Sequence, residues 1–270
     1  MVTIKNPHFS VAQIWNSGQC FRMKPLENDT YEIVVASRHL KIQEQEGKET
    51  IFYCTEEEFE TFWKGYFDLE NDYNVYIDNI DKEDAYLQNA VSYGKGIRIL
   101  RQDLWEMIIS FIISQQNNIR RIRMIIETLC QTYGNECYTE DNQVYYTFPT
   151  PEALSVVSEE ELRSCNLGYR SKYIVKVANT IASGEVDLDK LKTMPYKEAK
   201  NELLKLYGVG EKVADCICLF GLHHLQAFPV DTHIKQVLEE NYKDGFPFDR
   251  YKGYEGVIQQ YIFYYHYTKK

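Results

Sequence analysis

LYGVGEKVADCICLFGLHHLQAFPVDTHIKQVL, residues 206–238, is the stretch from which the fold of this chain can be read. Just before it, YKEAKNELLKL at 196–206 has the apolar spacing of an amphipathic helix. Gly208-Val209-Gly210 then makes a tight turn, because glycines accept backbone angles that other residues resist. A second helix starts near Glu211. Over residues 196–222 the pattern is helix, hairpin, helix, and the second helix brings unpaired N–H groups and a positive dipole end to the turn. Such a place suits a phosphate.

Lys212 lies in the first turn of that second helix. Where water is removed from a lysine, the ammonium is disfavoured and the free amine becomes a usable nucleophile. Asp231 follows Pro229-Val230 and precedes an apolar-periodic segment (Ile234, Val237, Leu238), so by itself it reads as a helix N-cap. An exposed helix lysine and a capping aspartate are the plain interpretation of the pair; the surrounding hairpin argues for more.

GVGEKVADCICL followed by PVDTH resembles the 8-oxoguanine DNA glycosylase/AP lyases of the helix-hairpin-helix (HhH-GPD) DNA glycosylase superfamily. The resemblance implies an α+β chain in which a small N-terminal antiparallel β-sheet domain, residues 1–80, packs on a mainly α-helical glycosylase domain, residues 81–270. It implies removal of 8-oxoguanine from duplex DNA by nucleotide flipping, with Lys212 forming a Schiff base to the sugar, Asp231 assisting, and β-elimination at the abasic site. Three rivals stand against it: a monofunctional alkylated-purine glycosylase, which the lysine at 212 disfavours, a non-catalytic helix-hairpin-helix DNA-binding protein, and a helical interaction protein with no DNA role.

Composition is compatible with this. The chain has 270 residues, 44% hydrophobic and 14% aromatic, ample for a core. No apolar run reaches the ~18 residues of a membrane span, and MVTIKNPHFS lacks the basic and apolar regions of a signal peptide, so a soluble protein of the cytoplasm, nucleoid-associated, or of the nucleus in a eukaryote, is expected. Seven cysteines, odd in number and scattered, fit free thiols better than a disulfide framework. They show no metal-ligand spacing and lack the four-cysteine iron–sulfur pattern of the endonuclease III branch, so no cluster and no cofactor are expected, apart from a structural monovalent or calcium ion at the hairpin. The net charge of −10 argues against DNA as a partner when taken globally. Locally, Lys95, Arg98, Arg101, Arg120, Arg121 and Arg123 face only Asp103 and Glu106 over residues 95–125, while residues 163–176 carry Arg163, Arg170, Lys172 and Lys176 without an acid. A basic face on an acidic body still engages phosphates.

Along the chain, Tyr31–Ala36, His39–Gln43 and Thr50–Cys54 are strand candidates, and Thr55-Glu-Glu-Glu58 is a capping box. A linking helix is expected over Asp81–Tyr93. Asp103 caps a helix that is apolar nearly all round, LWEMIISFII, which belongs at the centre of a helical domain. Further helix starts are read at Asn117 or Asn118, at Thr150-Pro151, at Ser158-Glu-Glu-Glu161 and near Lys172.

The resemblance assigns the remaining site residues. Gly18, in Ser17-Gly-Gln-Cys-Phe-Arg22, offers the base pocket a carbonyl that accepts from N7–H, which 8-oxoguanine has and guanine lacks. Gln259 bonds the Watson–Crick edge of the base, Phe263 stacks on one face and Cys216 lies against the other, with Phe220 as a pocket wall. Gln116, Asn117 and Asn118 fill the hole left in the duplex, Gln116 standing where animal members carry Asn. Arg121 and Arg170 read the orphaned cytosine, Tyr169 intercalates beside the lesion, Gly208, Val209 and Gly210 hold the DNA backbone, and His233 contacts a phosphate. The partner is therefore double-stranded DNA with 8-oxoguanine opposite cytosine, bound by a monomer, with no membrane.

Overall fold

Alternation of inward and outward residues near the N-terminus resolves into an antiparallel sheet. In the computed structural model, which describes residues 1–269, β1 (Val2–Lys5), β2 (Met23–Pro25), β3 (Thr30–Val35), β4 (Arg38–Gln45) and β5 (Glu49–Phe52) stand in the order β1-β5-β4-β3-β2. Phe52 faces Ile42 on one side and Val2 on the other. Strands β3 to β5 match the candidates. β1 and β2 have no counterpart among them, since segments of four and three residues are too short to display a period.

The chain groups into two compact units. The first comprises Met1–Glu32, Leu40–Arg101 and the residues from His223 onward; the second comprises Ile33–His39 and Gln102–Leu222. The chain leaves its first unit after Arg101 and re-enters it at His223. The physical reason is packing: helix Ala85–Gly94 lies along helix Glu255–Thr268, where Tyr93 and Tyr264 bring their rings to 5.3 Å.

In the first unit, Phe52 is ringed by Phe9, Phe59 and Phe67 at 5.9, 5.0 and 5.6 Å between centroids. Each such buried ring contributes about 1.5–3 kcal/mol. The Thr55/Glu58 capping box forms in both directions and starts the helical stretch that carries Phe59. Arg98, counted above as part of a basic face, is instead 1% exposed and lies over the Tyr73 ring at 4.0 Å. Its guanidinium donates to the carbonyls of Asp68, Asn71 and His8, so it organises a loop and offers nothing to DNA.

Beside it the Asp68 carboxylate accepts from the Tyr73 hydroxyl at 3.0 Å and pairs with Arg101 at 2.9 Å and with His223 at 3.4 Å. Burial acts to raise the Asp68 carboxyl, but His223, Arg101 and Tyr73 outweigh it and hold it below the ordinary carboxylate range. A carboxylate depressed on folding stabilises the protein fully above about pH 4, and that stabilisation is lost as pH falls through the folded value. Asp68→Asn is therefore expected to lower stability by about 3 kcal/mol at neutral pH. Denaturant titrations should show the gap to the wild type closing below about pH 4.

In the second unit, Asp103 accepts from the Glu106 N–H at 2.8 Å and caps the helix Leu104–Ser114, whose residues 104–113 are all buried. Helices Ile119–Tyr133, Arg170–Ala182 and Glu211–Phe220 pack around it. The caps at Thr150 with Pro151 and at Ser158 with Glu161 form as the sequence requires. A short hairpin, β6 (Glu136–Tyr138) with β7 (Val144–Tyr146), has no counterpart among the strand candidates. No helix among the described residues is long and apolar enough to cross a membrane.

Candidate active site

The hairpin is built from helix Tyr196–Leu203, a turn, and helix Glu211–Phe220 with Gly210 at its N-cap. Gly208 has φ +88°, and a Cβ there would come within 2.5 Å of the Tyr173 ring, so both conformation and space require glycine. The Val209 side chain is buried, which leaves the backbone as what the turn offers outward. Behind the turn, Lys200 reaches Glu211 at 2.8 Å and Asp215 at 3.0 Å, and the Tyr196 hydroxyl donates to Asp215 at 2.6 Å. Burial opposes the Lys200 ammonium, yet the two carboxylates outweigh it and hold it above the ordinary lysine range. These contacts tie the first helix of the motif to the second. Cys218, buried beside Asp215, has its thiol pushed up to about 12, mainly by burial and then by that charge.

Lys212 is half-buried, and its Nζ lies 5.6 Å from the centre of the Phe111 ring, within cation–π range. Phe111 stacks on Phe220 at 5.4 Å and 16°. With Cys216 and Phe220 both buried on the same helix, an apolar wall backs the amine. Because it sits inside a helix apolar all round, nothing in the sequence marks Phe111 except that it comes one turn before the polar run.

That run, Gln115 to Asn118, is held from several sides. The Gln115 side chain donates to the Gly208 carbonyl at 3.0 Å and so fastens the loop to the hairpin. Arg170, expected to read a cytosine, is 5% exposed; it donates through Nε to the Gln115 carbonyl at 3.0 Å, through Nη2 to those of Gln115 and Gln116, and through Nη1 to that of Leu167. In this structure its guanidinium holds the loop through these three carbonyls. Asn117 donates to the Ile113 carbonyl at 3.1 Å, and Asn118 caps helix Ile119–Tyr133 by accepting from the Arg121 N–H at 3.0 Å. Gln116 and Arg121 remain exposed, and Gln116 has φ +48°, a strained left-handed conformation for a side chain of its kind. Tyr169 is 45% exposed, with its ring over Arg170 at 4.6 Å. Gln115 carries much of this geometry although sequence alone gave it no role; only its adjacency to Gln116 could have marked it.

The first unit holds the other assigned residues. Asp231 caps helix Thr232–Asn241, its Oδ1 accepting from the Ile234 N–H at 2.8 Å. Gln259 is 3% exposed; its Nε2 donates to the Pro229 carbonyl at 3.1 Å and its Oε1 accepts from Gln260 at 3.0 Å. One N–H and one lone pair of the amide are thereby used, out of two of each. Phe263 follows one turn later, half-buried. His233 lies among the rings of Phe263, His266 and Tyr267, at 5.8, 5.7 and 5.6 Å between centroids. Gly18 has φ +74° in a loop that Gln19 locks, donating to the Arg98 carbonyl at 3.0 Å and accepting from the Leu100 N–H at 2.9 Å. Among the described residues no group of three or more His, Cys, Asp or Glu side chains is placed to hold a metal ion.

Comparison with known proteins bears on the same segments. Residues 1–108 match the N-terminal domain of 8-oxoguanine DNA glycosylases, and residues 109–244 match the HhH-GPD superfamily of base excision DNA repair proteins. The chain is similar to an N-glycosylase/DNA lyase of Saccharomyces cerevisiae, 32% identical over 90% of this chain and 70% of that one. It is also similar to one of Arabidopsis thaliana, 31% identical over 82% of this chain and 63% of the other, so it spans only part of the length of these relatives. Among solved structures, the Clostridium acetobutylicum 8-oxoguanine glycosylase/lyase in complex with double-stranded DNA containing cytosine opposite 8-oxoguanine superposes with TM-score 0.91 and 33% identity, covering 100% of this chain and 98% of that one. The chain belongs to the HhH-GPD superfamily of base excision DNA repair proteins, in the branch that carries the 8-oxoguanine DNA glycosylase N-terminal domain.

Proposed function

We propose that this protein removes 8-oxoguanine from duplex DNA and then cleaves the strand at the resulting abasic site. The observation that carries this is Lys212: an amine in the first turn of a hairpin helix, backed by Phe111, Phe220 and Cys216. A DNA-binding hairpin needs no such lysine.

The damaged nucleotide leaves the stack, at a cost of a few kcal/mol offset by pocket contacts. The Gly18 carbonyl accepts from N7–H, the remaining N–H and lone pair of Gln259 address the Watson–Crick edge, and Phe263 and Cys216 lie against the two faces. Nζ of Lys212 forms a bond to C1′ as the glycosidic bond breaks and its electrons leave with the base. Asp231 stabilises positive charge developing on the sugar. Opening of the sugar ring gives the Schiff base; loss of a C2′ proton then expels the 3′ phosphate, and water releases the lysine. Gln116, Asn117 and Asn118 take the space vacated in the duplex, Tyr169 wedges beside it, and Arg121 addresses the orphaned cytosine. The hairpin, Gly208 to Gly210, meets the DNA backbone.

The chemistry requires no cofactor. A structural monovalent or calcium ion at the hairpin would be held by carbonyl oxygens of its turn. One protein molecule acts on one lesion, and it works wherever the cell keeps its duplex DNA.

Incubation with a duplex carrying 8-oxoguanine opposite cytosine, beside an undamaged duplex, tests this directly. Free 8-oxoguanine and a borohydride-trapped covalent adduct are expected from the first alone. Base release without an adduct would indicate monofunctional excision, and neither would leave a binding module.

A further inference from the structure

The ring that backs Phe263 has no role in the function proposed above. Gln259, Phe263 and Tyr267 follow one another at intervals of four on helix Glu255–Thr268 and share a face. The rings of Phe263 and Tyr267 are nearly parallel, 8° apart, with centroids 5.5 Å from each other. His233 stands perpendicular to both, at 88° to Phe263 and 89° to Tyr267, with its ring centre 5.8 and 5.6 Å from theirs. Tyr267 is 39% exposed, an unusual placement for a large ring that serves only as core.

We infer that Tyr267 and His233 are positioning residues which fix the plane of Phe263 and make it one ring of a pre-built stack onto which the extruded base is added. The inference rests on Phe263 being the base-stacking ring. A lone phenylalanine at the end of a half-buried helix can turn about two side-chain bonds, and each orientation but one presents an edge to the base. Parallel contact with Tyr267 on one side selects the orientation that presents a face, and the perpendicular His233 blocks rotation out of it. A base arriving on the opposite face of Phe263 completes a three-ring stack whose geometry is set before binding, so little ordering remains to be done when it arrives. The effect belongs to recognition of the base and not to the chemistry at the sugar.

The separation makes a test possible with two substrates. Wild type, Tyr267→Ala and Tyr267→Phe are compared on a duplex with 8-oxoguanine opposite cytosine, measuring KM and kcat for base release, and on a duplex with a preformed abasic site, measuring borohydride trapping. The abasic duplex has no base to stack. Tyr267→Ala is expected to raise KM for the lesion about tenfold, the scale of one aromatic stacking partner, with kcat changed far less and abasic trapping retained. Tyr267→Phe keeps the ring and should restore KM. Equal losses on both substrates would mean general damage to the fold and would overturn the inference, as would a Tyr267→Ala enzyme with unaltered KM. A wild type that releases no 8-oxoguanine sinks the proposed function and the stack with it; a wild type that does release it confines any failure to the stack.

Discussion

Lys212→Gln is expected to abolish the borohydride-trapped adduct and to slow 8-oxoguanine release about a thousandfold or more, as loss of a covalent nucleophile does. Glutamine is close to lysine in length and helix propensity, so the first turn of helix Glu211–Phe220 should persist. The Lys200 contacts to Glu211 and Asp215 that join the two hairpin helices do not involve position 212 and remain. Duplex affinity should therefore change little while chemistry collapses, a split visible when binding by anisotropy and single-turnover base release are measured on the same preparation. A variant that still releases base at the wild-type rate would place the nucleophile elsewhere, or make it water.

Asp231→Asn should come next in magnitude, with base release lowered about a hundredfold to a thousandfold, the range seen when a preorganised charge is removed from a transition state. Asparagine caps helices about as well as aspartate, so the bond from the Ile234 N–H survives and the loss is chemical. Asp231→Ala would add about 1 kcal/mol of lost helix stability to the same kinetic defect. Thermal melts of the two variants separate the contributions: Asn near the wild type, Ala lower. Wild-type rates in the Asn variant would reduce Asp231 to a cap.

What could be read in the sequence shares a physical character. Gly208 and Gly210, the Thr55/Glu58 and Ser158/Glu161 capping boxes and the Asp103 and Asp231 caps are settled by residues within three or four positions of one another. The hairpin and the amine it carries are local in the same way. The features that were not legible depend on distant partners. Arg170 is an arginine beside a tyrosine until the Gln115 carbonyl, far back in the chain, takes its donors. Arg98 belongs to a basic cluster by sequence and to a loop core by contact with Asp68 and Tyr73. The division of the chain near residue 101 follows from helix Ala85–Gly94 lying along Glu255–Thr268, which no window of sequence contains. In the last helix, which of its many aromatics faces core and which backs Phe263 is a question of helical phase, and uniform apolarity hides phase.

Cys218 has a bearing on how long such a protein survives in use. 8-oxoguanine is a product of oxidants, so a protein that acts on it works hardest when its own side chains are under the same attack. Thiols are oxidised as thiolates, and burial together with the Asp215 charge pushes the Cys218 thiol up, which suppresses its thiolate at neutral pH. Cys20, Cys130, Cys165 and Cys216 are buried as well, leaving Cys54 and Cys137 as the two with partial access. Peroxide exposure should therefore act first at Cys137, in the β6–β7 hairpin, since burial and Glu58 push the Cys54 thiol up too, and helix Glu211–Phe220, whose two cysteines are buried, should stay chemically intact through the conditions that generate its substrate.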